Sequence, residues 1–468
     1  MIASANSIAG RARGSYFLTT TRRVMPQSRL AWTVLCLSFL CCVFEGALRK
    51  WVLGEGSLPG RVAYLSKDIL MVGILAVGVG RSNAMTAIAS PYLLCGLILL
   101  GLGALLSMVS GIDPIGALLT VKTFFLLPLA AFMAGRLLPA DSLRRLAITV
   151  ALLSLPLAVL GILQFFSPQS SVLNRYSSYG DLISTAGSQS SRVRATGTFS
   201  YITGFGEFAP VGVWAGIVCF SLARTVRERW LGYAALVAGL CCALVTVSRA
   251  VALISLGLIA VWALAGGQFG RKAQILLTIT VATIVAVYLG GWWDDAEEVI
   301  TTVYWRHMTP QNKETIGDRL LYGYAEPLGA FAIAPLGEGL GSQQSAMLVV
   351  GSDASRRALG QYESPWGKLV LELGVAGLLG FIVTLGVVFA PLVAIYRRCP
   401  SGGPKTALAV TGVVLLTKAA VGFPFNHVSA YLFWAVAATV LALGNGMRLP
   451  QSSTTTPRSA AVLRRSVT

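Results

Sequence analysis

The run Leu146-Ala-Ile-Thr-Val-Ala-Leu-Leu-Ser-Leu-Pro-Leu-Ala-Val-Leu-Gly-Ile-Leu-Gln-Phe-Phe166 carries no charged side chain and follows directly on Arg144-Arg145. A helix needs roughly 20 apolar residues to cross the hydrocarbon core of a bilayer, and this run has that length. The same reading extends along the chain. Comparable runs lie near 30–47, 63–80, 91–109, 114–134, 205–223, 231–248, 250–266, 273–293, 366–395, 406–426 and 429–446. Those near 63–80 and 231–248 are short or interrupted by charge. The bulk figures agree: 468 residues, 55% hydrophobic, only 12% charged, 50 glycines. Mean hydropathy is +0.71. A soluble domain carries about 25% charged residues, so half the usual charge is missing. A soluble enzyme, a disordered chain and a disulfide-stapled scaffold are all excluded. The expectation is an all-α polytopic membrane protein with about twelve transmembrane helices.

Basic residues set the expected orientation. The chain has 37 Lys and Arg against 19 Asp and Glu, a formal net charge of +18. With the N-terminus in the cytoplasm, the inside connectors hold Arg81, Arg136, Arg144, Arg145, Arg224, Arg227, Arg229, Arg271, Lys272, Arg397, Arg398 and Lys405. The N-terminal segment and the tail from Arg448 to Arg465 add more. The short opposite connectors near 110–113 and 427–428 hold none. Positive-inside bias therefore accounts for more than half of the basic residues, without nucleic acid. The chain divides into a basic cytoplasmic tail (1–29), one transmembrane domain (30–446) and a disordered cytoplasmic tail (447–468). The first span lacks a small-residue cleavage site and reads as an uncleaved signal anchor.

Two outer-face segments, about 167–204 and 294–365, exceed simple connectors, and loops of that length are usually functional or disordered. The larger precedes the last three spans. It holds a helix-like stretch near 316–332 and the turn Pro335-Leu-Gly-Glu-Gly-Leu-Gly-Ser342. Neither segment has the core of a separate domain, so both are expected to pack on the membrane body. No internal repeat is visible, which argues against an inverted-repeat transporter. Of the eight cysteines, seven lie in apolar runs. With only His307 and His427 in the chain, no zinc-like Cys/His cluster forms. No metal and no cofactor are expected.

Charges that break the topology rule carry the information, because a charge at mid-bilayer costs roughly 2.5–3.5 kcal/mol on insertion scales. These are Glu45, Lys67, Asp68, Lys122, Glu207, Arg249, Lys368, Glu372 and Lys418. Lys122 and Lys418 read plainly as helix-packing lysines paired with a carboxylate such as Glu45 or Asp68. Lys67 and Lys368 sit near span ends, where they can snorkel. Arg194 and Arg249 lie on the expected outer side, where topology disfavours them, and Arg319 lies in the second long loop. Arginine forks match phosphate oxygens bidentately, so converging arginines at a membrane surface suit a diphosphate. The plainer alternative is interfacial arginines that touch lipid headgroups. Glu363 stands at the mouth of the next span, where a carboxylate can accept a hydroxyl proton. Glu372 lies nine residues on, about two and a half helical turns, and so on the opposite face. Gly374, Gly377 and Gly380 read as ordinary helix-packing glycines.

Arg194-Ala-Thr-Gly-Thr-Phe199 before a span, Ser248-Arg249 at a helix junction, and Arg319 followed by Pro335-Leu-Gly-Glu-Gly-Leu-Gly341 together resemble motifs of the bacterial O-antigen ligase and O-antigen polymerase superfamily. Glu363…Glu372-Leu-Gly-Val-Ala-Gly377-Leu-Leu falls where those ligases carry a His and then Glu-x-Gly-x-x-Gly-Leu. The resemblance covers about residues 90–445. It implies a glycosyltransferase of the bacterial inner membrane, with both termini cytoplasmic. Such an enzyme moves a glycan from a polyprenyl-diphosphate (undecaprenyl-type) carrier to a glycan or lipid-glycan acceptor in lipopolysaccharide or other polysaccharide biosynthesis. By the same resemblance, Arg194 and Arg249 hold the diphosphate and Arg319 is a further loop arginine. Glu363 replaces the ligase His, which points either to a carboxylate base or to a polymerase-like branch. Phe44-Glu-Gly-Ala-Leu-Arg-Lys50 resembles an N-terminal feature of one branch and acquires no role from sequence. Two other classes stay open: a transporter or flippase of a lipid-linked saccharide, and a non-catalytic export scaffold.

Overall fold

The computed structural model describes residues 26–54, 57–79, 96, 98–112, 114–175, 192–265, 316–342, 364–421 and 426–446. Among them the chain is helical throughout, and no β-strand forms. We number the helices α1 (Pro26–Ala47), α2 (Leu58–Val79), α3 (Ile98–Val109), α4 (Pro114–Val121), α5 (Leu127–Leu137), α6 (Ser142–Phe166) and α7 (Ile202–Ser221). There follow α8 (Val226–Val245), α9 (Arg249–Leu264), α10 (Ile316–Ile333), α11 (Pro365–Arg398), α12 (Gly403–Val421) and α13 (His427–Gly446). Two wide π-helical stretches, Leu48–Leu53 after α1 and Lys122–Leu126 between α4 and α5, continue their helices without a break.

Seven helices in the described residues are long and apolar enough to cross a membrane. The protein is thus a helical membrane protein. The helices α2, α3, α9 and α12 coincide with four further expected runs; the run near 273–293 lies outside the described residues. Seven, rather than twelve, is the number of spans that these residues support.

α7 and α13 form the centre. α7 carries a single charged side chain, Glu207, and buries Phe205, Phe208, Trp214 and Val218 completely, as expected of a largely apolar helix inside a bundle. Gly212 and Gly216 of α7 meet Gly239 and Gly232 of α8, so the two backbones touch. α13 buries Tyr431, Phe433 and Trp434 against α5, α6 and α7. Lateral faces of α1, α2, α6 and α11 keep leucines and valines exposed, the surface that lipid covers.

α11 spans 34 residues, about 51 Å at 1.5 Å per residue, which exceeds a hydrocarbon core of roughly 30 Å. It is broken at Gly374 (φ 67°, ψ −167°). Gly374 is therefore not a helix-packing glycine, as the sequence suggested. Its left-handed backbone opens the helix where the Pro335–Gly341 turn docks. In that turn Gly337, Gly339 and Gly341 also have positive φ. A Cβ on Gly341 would lie 2.2 Å from the carbonyl carbon of Gly116 in α4.

Gly341→Ala combines this overlap with a forbidden φ of +97° and should destabilise the fold by about 2 kcal/mol or more. Gly257→Ala, in α9 with open space around it, should leave the unfolding temperature in detergent unchanged or slightly higher. Equal Tm values for the two variants would show that the turn does not dock as described.

Candidate functional site

The segment 192–200 ends in the N-terminus of α7 and is buried at nearly every residue. It is irregular because Gly197 takes a positive φ of 56° and Phe199 N–H donates back to the Thr196 carbonyl at 3.1 Å. Phe199 then packs on Phe205 and Phe208, with ring centroids 6.2 and 5.7 Å away. Gln164, at the end of α6, clamps the turn. Its Oε1 accepts from Thr196 N–H (3.0 Å) and Gly197 N–H (2.7 Å), and its Nε2 donates to the Gly197 carbonyl (3.1 Å).

The α8–α9 junction holds Arg194 at Thr246, three residues before Arg249. Ala195 N–H donates to the Val245 carbonyl at 3.1 Å, and Arg194 Nε donates to the Thr246 carbonyl at 2.9 Å. Val247, a β-branched residue, sits at φ +48°, an unusual conformation for such a side chain. This sharp turn ends α8 and lets α9 begin at Arg249 immediately afterwards. Both arginines are half-buried. They are 55 positions apart in sequence, yet backbone hydrogen bonds link their segments. The Arg194 guanidinium is thus held at the turn that precedes Arg249, and arginines at a helix N-terminus favour anions.

Arg319 lies in the first turns of α10, which packs on α11; its side chain is outside the described residues. Glu363 also lies outside them, next to Ser364, the N-cap of α11. Ser364 Oγ accepts from Gly367 N–H, and Glu326 of α10 accepts from Ser364 N–H.

What sequence reasoning left without a role is the Phe44–Lys50 stretch, and it turns out to grip the same segment. A Cβ on Gly46 would stand 2.3 Å from Ser200 N and 2.5 Å from the Phe199 carbonyl carbon. Thr198 Oγ1 donates to the Val43 carbonyl at 2.6 Å, and Arg49 Nη1 donates to Ser200 Oγ at 3.0 Å. Lys50 Nζ donates to Thr196 Oγ1 (2.9 Å) and to the Gly197 carbonyl (2.8 Å). The available sequence signal was the pair of charges, Arg49-Lys50, directly after the first apolar run.

Behind this grip lies a buried charge network. Lys67 Nζ stands 3.2 Å from Glu45 Oε2 and 3.8 Å from the Tyr64 ring centre. His427, at the start of α13, packs edge-on against Tyr64 at 5.0 Å and points Nε2 at Glu45, 3.5 Å away. Lys122 pairs with Asp68 at 3.2 Å, as its sequence reading anticipated. Lys67 does not snorkel: it is fully buried, because its carboxylate partner lies inside the bundle. Nor does Lys418 reach Glu45 or Asp68. It pairs with Glu207, because α12 packs on α7.

Glu372 belongs to the Gly374 break rather than to a pair of catalytic carboxylates. It is fully buried and accepts from Thr120 Oγ1 and from Gly341 N–H. Glu338 N–H donates to the Leu371 carbonyl (2.7 Å), and Val375 N–H to the Pro335 carbonyl (3.1 Å). In the same turn, partial burial raises the Glu338 carboxyl above its ordinary range. An apolar cavity of about 270 Å³ lies beside the turn, lined among others by Leu99, Phe124, Leu340, Gly377, Phe381 and Trp434. Among the described residues no three His, Cys, Asp or Glu side chains gather as a metal-binding group.

Removing one partner of a buried ion pair strands the other. Lys67→Met should therefore cost about 3–5 kcal/mol in unfolding free energy, and adding Glu45→Gln should recover a clear part of it. Strictly additive losses in this double-mutant cycle would show that the pair is not formed.

No family model matches the chain, and no curated protein matches it. Among solved structures, the chain is similar to one from a peptidoglycan synthase complex described as coordinating polymerization and crosslinking. That similarity has 15% identity and a TM-score of 0.39, over 78% of this chain and 100% of the other.

Proposed function

We propose that this protein is a glycosyltransferase of the bacterial inner membrane, of O-antigen ligase or O-antigen/exopolysaccharide polymerase type. It transfers a glycan from a polyprenyl-diphosphate carrier to an acceptor hydroxyl at the periplasmic face. The observation that carries this reading is the joining of Arg194 and Arg249 through the strained 245–248 turn. In this reading the two arginines serve together as an anion site beside the start of α9.

The chemistry needs little else. The acceptor oxygen attacks the anomeric carbon while the bond from that carbon to the diphosphate breaks, and the electron pair leaves on the diphosphate oxygen. Arg194 and Arg249, with Arg319 from α10, neutralise the charge that develops there. The acceptor proton passes to Glu363, which stands just before the α11 N-cap. Attack opposite the diphosphate inverts the anomeric centre, and the arginines supply the neutralisation that a metal would otherwise give. The donor, a glycan or lipid-glycan acceptor, and surrounding membrane lipids are the partners.

Reconstituted with a polyprenyl-diphosphate oligosaccharide, Arg194→Ala and Arg249→Ala should each lower transfer by roughly 100-fold. Arg194→Lys should recover only a part, since an ammonium lacks the bidentate fork. Undiminished transfer in both alanine variants would overturn the assignment. Lengthened chains from the wild type would identify a polymerase, and single additions a ligase. Carrier movement across the bilayer with no new glycosidic bond would identify a transporter instead.

A further inference from the structure

The Phe44–Lys50 stretch presents a buried lysine amine. Lys50 is 6% exposed, and its Nζ meets two neutral acceptors, Thr196 Oγ1 and the Gly197 carbonyl. Among the described residues no carboxylate lies within ion-pair distance of it. The two acidic residues nearest in sequence are Glu45, engaged by Lys67, and Glu55, which lies outside the described residues. A buried cation is ordinarily matched by an anion, because desolvation otherwise disfavours it. A neutral side chain of similar length would hold the turn at lower cost. A side chain able to carry charge at this place therefore calls for an explanation.

We propose that Lys50 is a positioning residue of the anion site. It fixes the Thr196–Gly197 turn, two residues beyond Arg194, and in its protonated form adds positive charge to the field that the anion meets. This rests on the reading of Arg194 and Arg249 as diphosphate ligands. Three features of the geometry support it. First, the turn is held from two sides, by the neutral amide of Gln164 and by the cation from α1. Second, the neighbouring Arg49 holds Ser200, so the whole 196–200 turn is tied to one π-helical stretch. Such wide turns inside helices often occur at functional sites. Third, Arg194 is anchored on its other side by the Thr246 carbonyl, so a displaced turn would pull its guanidinium off that anchor.

Three variants separate charge from tethering: Lys50→Arg keeps both, Lys50→Gln keeps a donor without charge, and Lys50→Met keeps neither. In full-length protein in lipid nanodiscs, three quantities are read: donor KM and kcat, inorganic pyrophosphate affinity by calorimetry, and hydrogen exchange of the 195–200 amides. Lys50→Met should raise donor KM and weaken pyrophosphate binding roughly tenfold, with a much smaller change in kcat. Its 195–200 amides should exchange faster. Lys50→Gln should restore slow exchange while pyrophosphate binding stays weak, and Lys50→Arg should restore both. Wild-type pyrophosphate affinity in the Met and Gln variants would overturn the proposal. So would wild-type exchange in Lys50→Met. If Arg194→Ala retained full transfer, the glycosyltransferase reading would fall, while exchange and pyrophosphate binding would still decide the role of Lys50.

Discussion

At Gly46 the end of α1 touches the 196–200 turn backbone to backbone, with no room for a Cβ between them. Everything at this end of the bundle is arranged around that contact. It places Val43, Arg49 and Lys50 where they hydrogen-bond the turn, and the turn in turn presents Arg194 to the α8–α9 junction. A larger residue at position 46 would push α1 away from the 196–200 turn and uncouple these bonds together. The position of the first helix is thus a condition for the arginine pair, although neither arginine belongs to it.

The charges behind this contact are expensive to bury, and a buried ion pair gains little over apolar packing of equal volume. What Glu45, Lys67, Asp68 and Lys122 contribute is register. Each pair joins two helices at one height, α1 with α2 and α2 with the stretch between α4 and α5. Apolar ridges alone allow helices to slide by a turn at modest cost. A sliding bundle would not keep Gly46 opposite Ser200. The Lys418–Glu207 pair does the same for α12 and α7.

A second constraint acts at the break in α11. The glycine-rich turn and Glu372-Leu-Gly374 are separated in sequence by more than 30 residues, yet they form one hydrogen-bonded unit with Thr120 and Gly116 of α4. Both motifs carried the family resemblance, and the structure gives them a common physical basis. Four positive-φ glycines let two backbones approach, and a buried carboxylate closes the gap. Spacing along an assumed straight helix put Glu372 and Glu363 on opposite faces, and Glu363 lies outside the described residues. It could not reveal that the helix is interrupted two residues after Glu372.

The sequence by itself determined the class of fold, since runs such as 146–166 without a charge have only one stable setting, a helix surrounded by apolar matter. It also singled out Arg194, Arg249 and Lys122, because charge in the wrong place is visible in a hydrophobic chain, and it noted the Phe44–Lys50 stretch by resemblance alone. Only the tertiary structure decided which of these meet. Lys67 was read as snorkelling and is buried, Lys418 found a different carboxylate, and Gly374 proved to be a break. Pairing across helices depends on which faces pack and at what height, and local periodicity carries no record of either. The tie between Lys50 and the Arg194 segment spans nearly 150 residues and runs through two side-chain bonds and a glycine contact, so it exists only once the helices are packed.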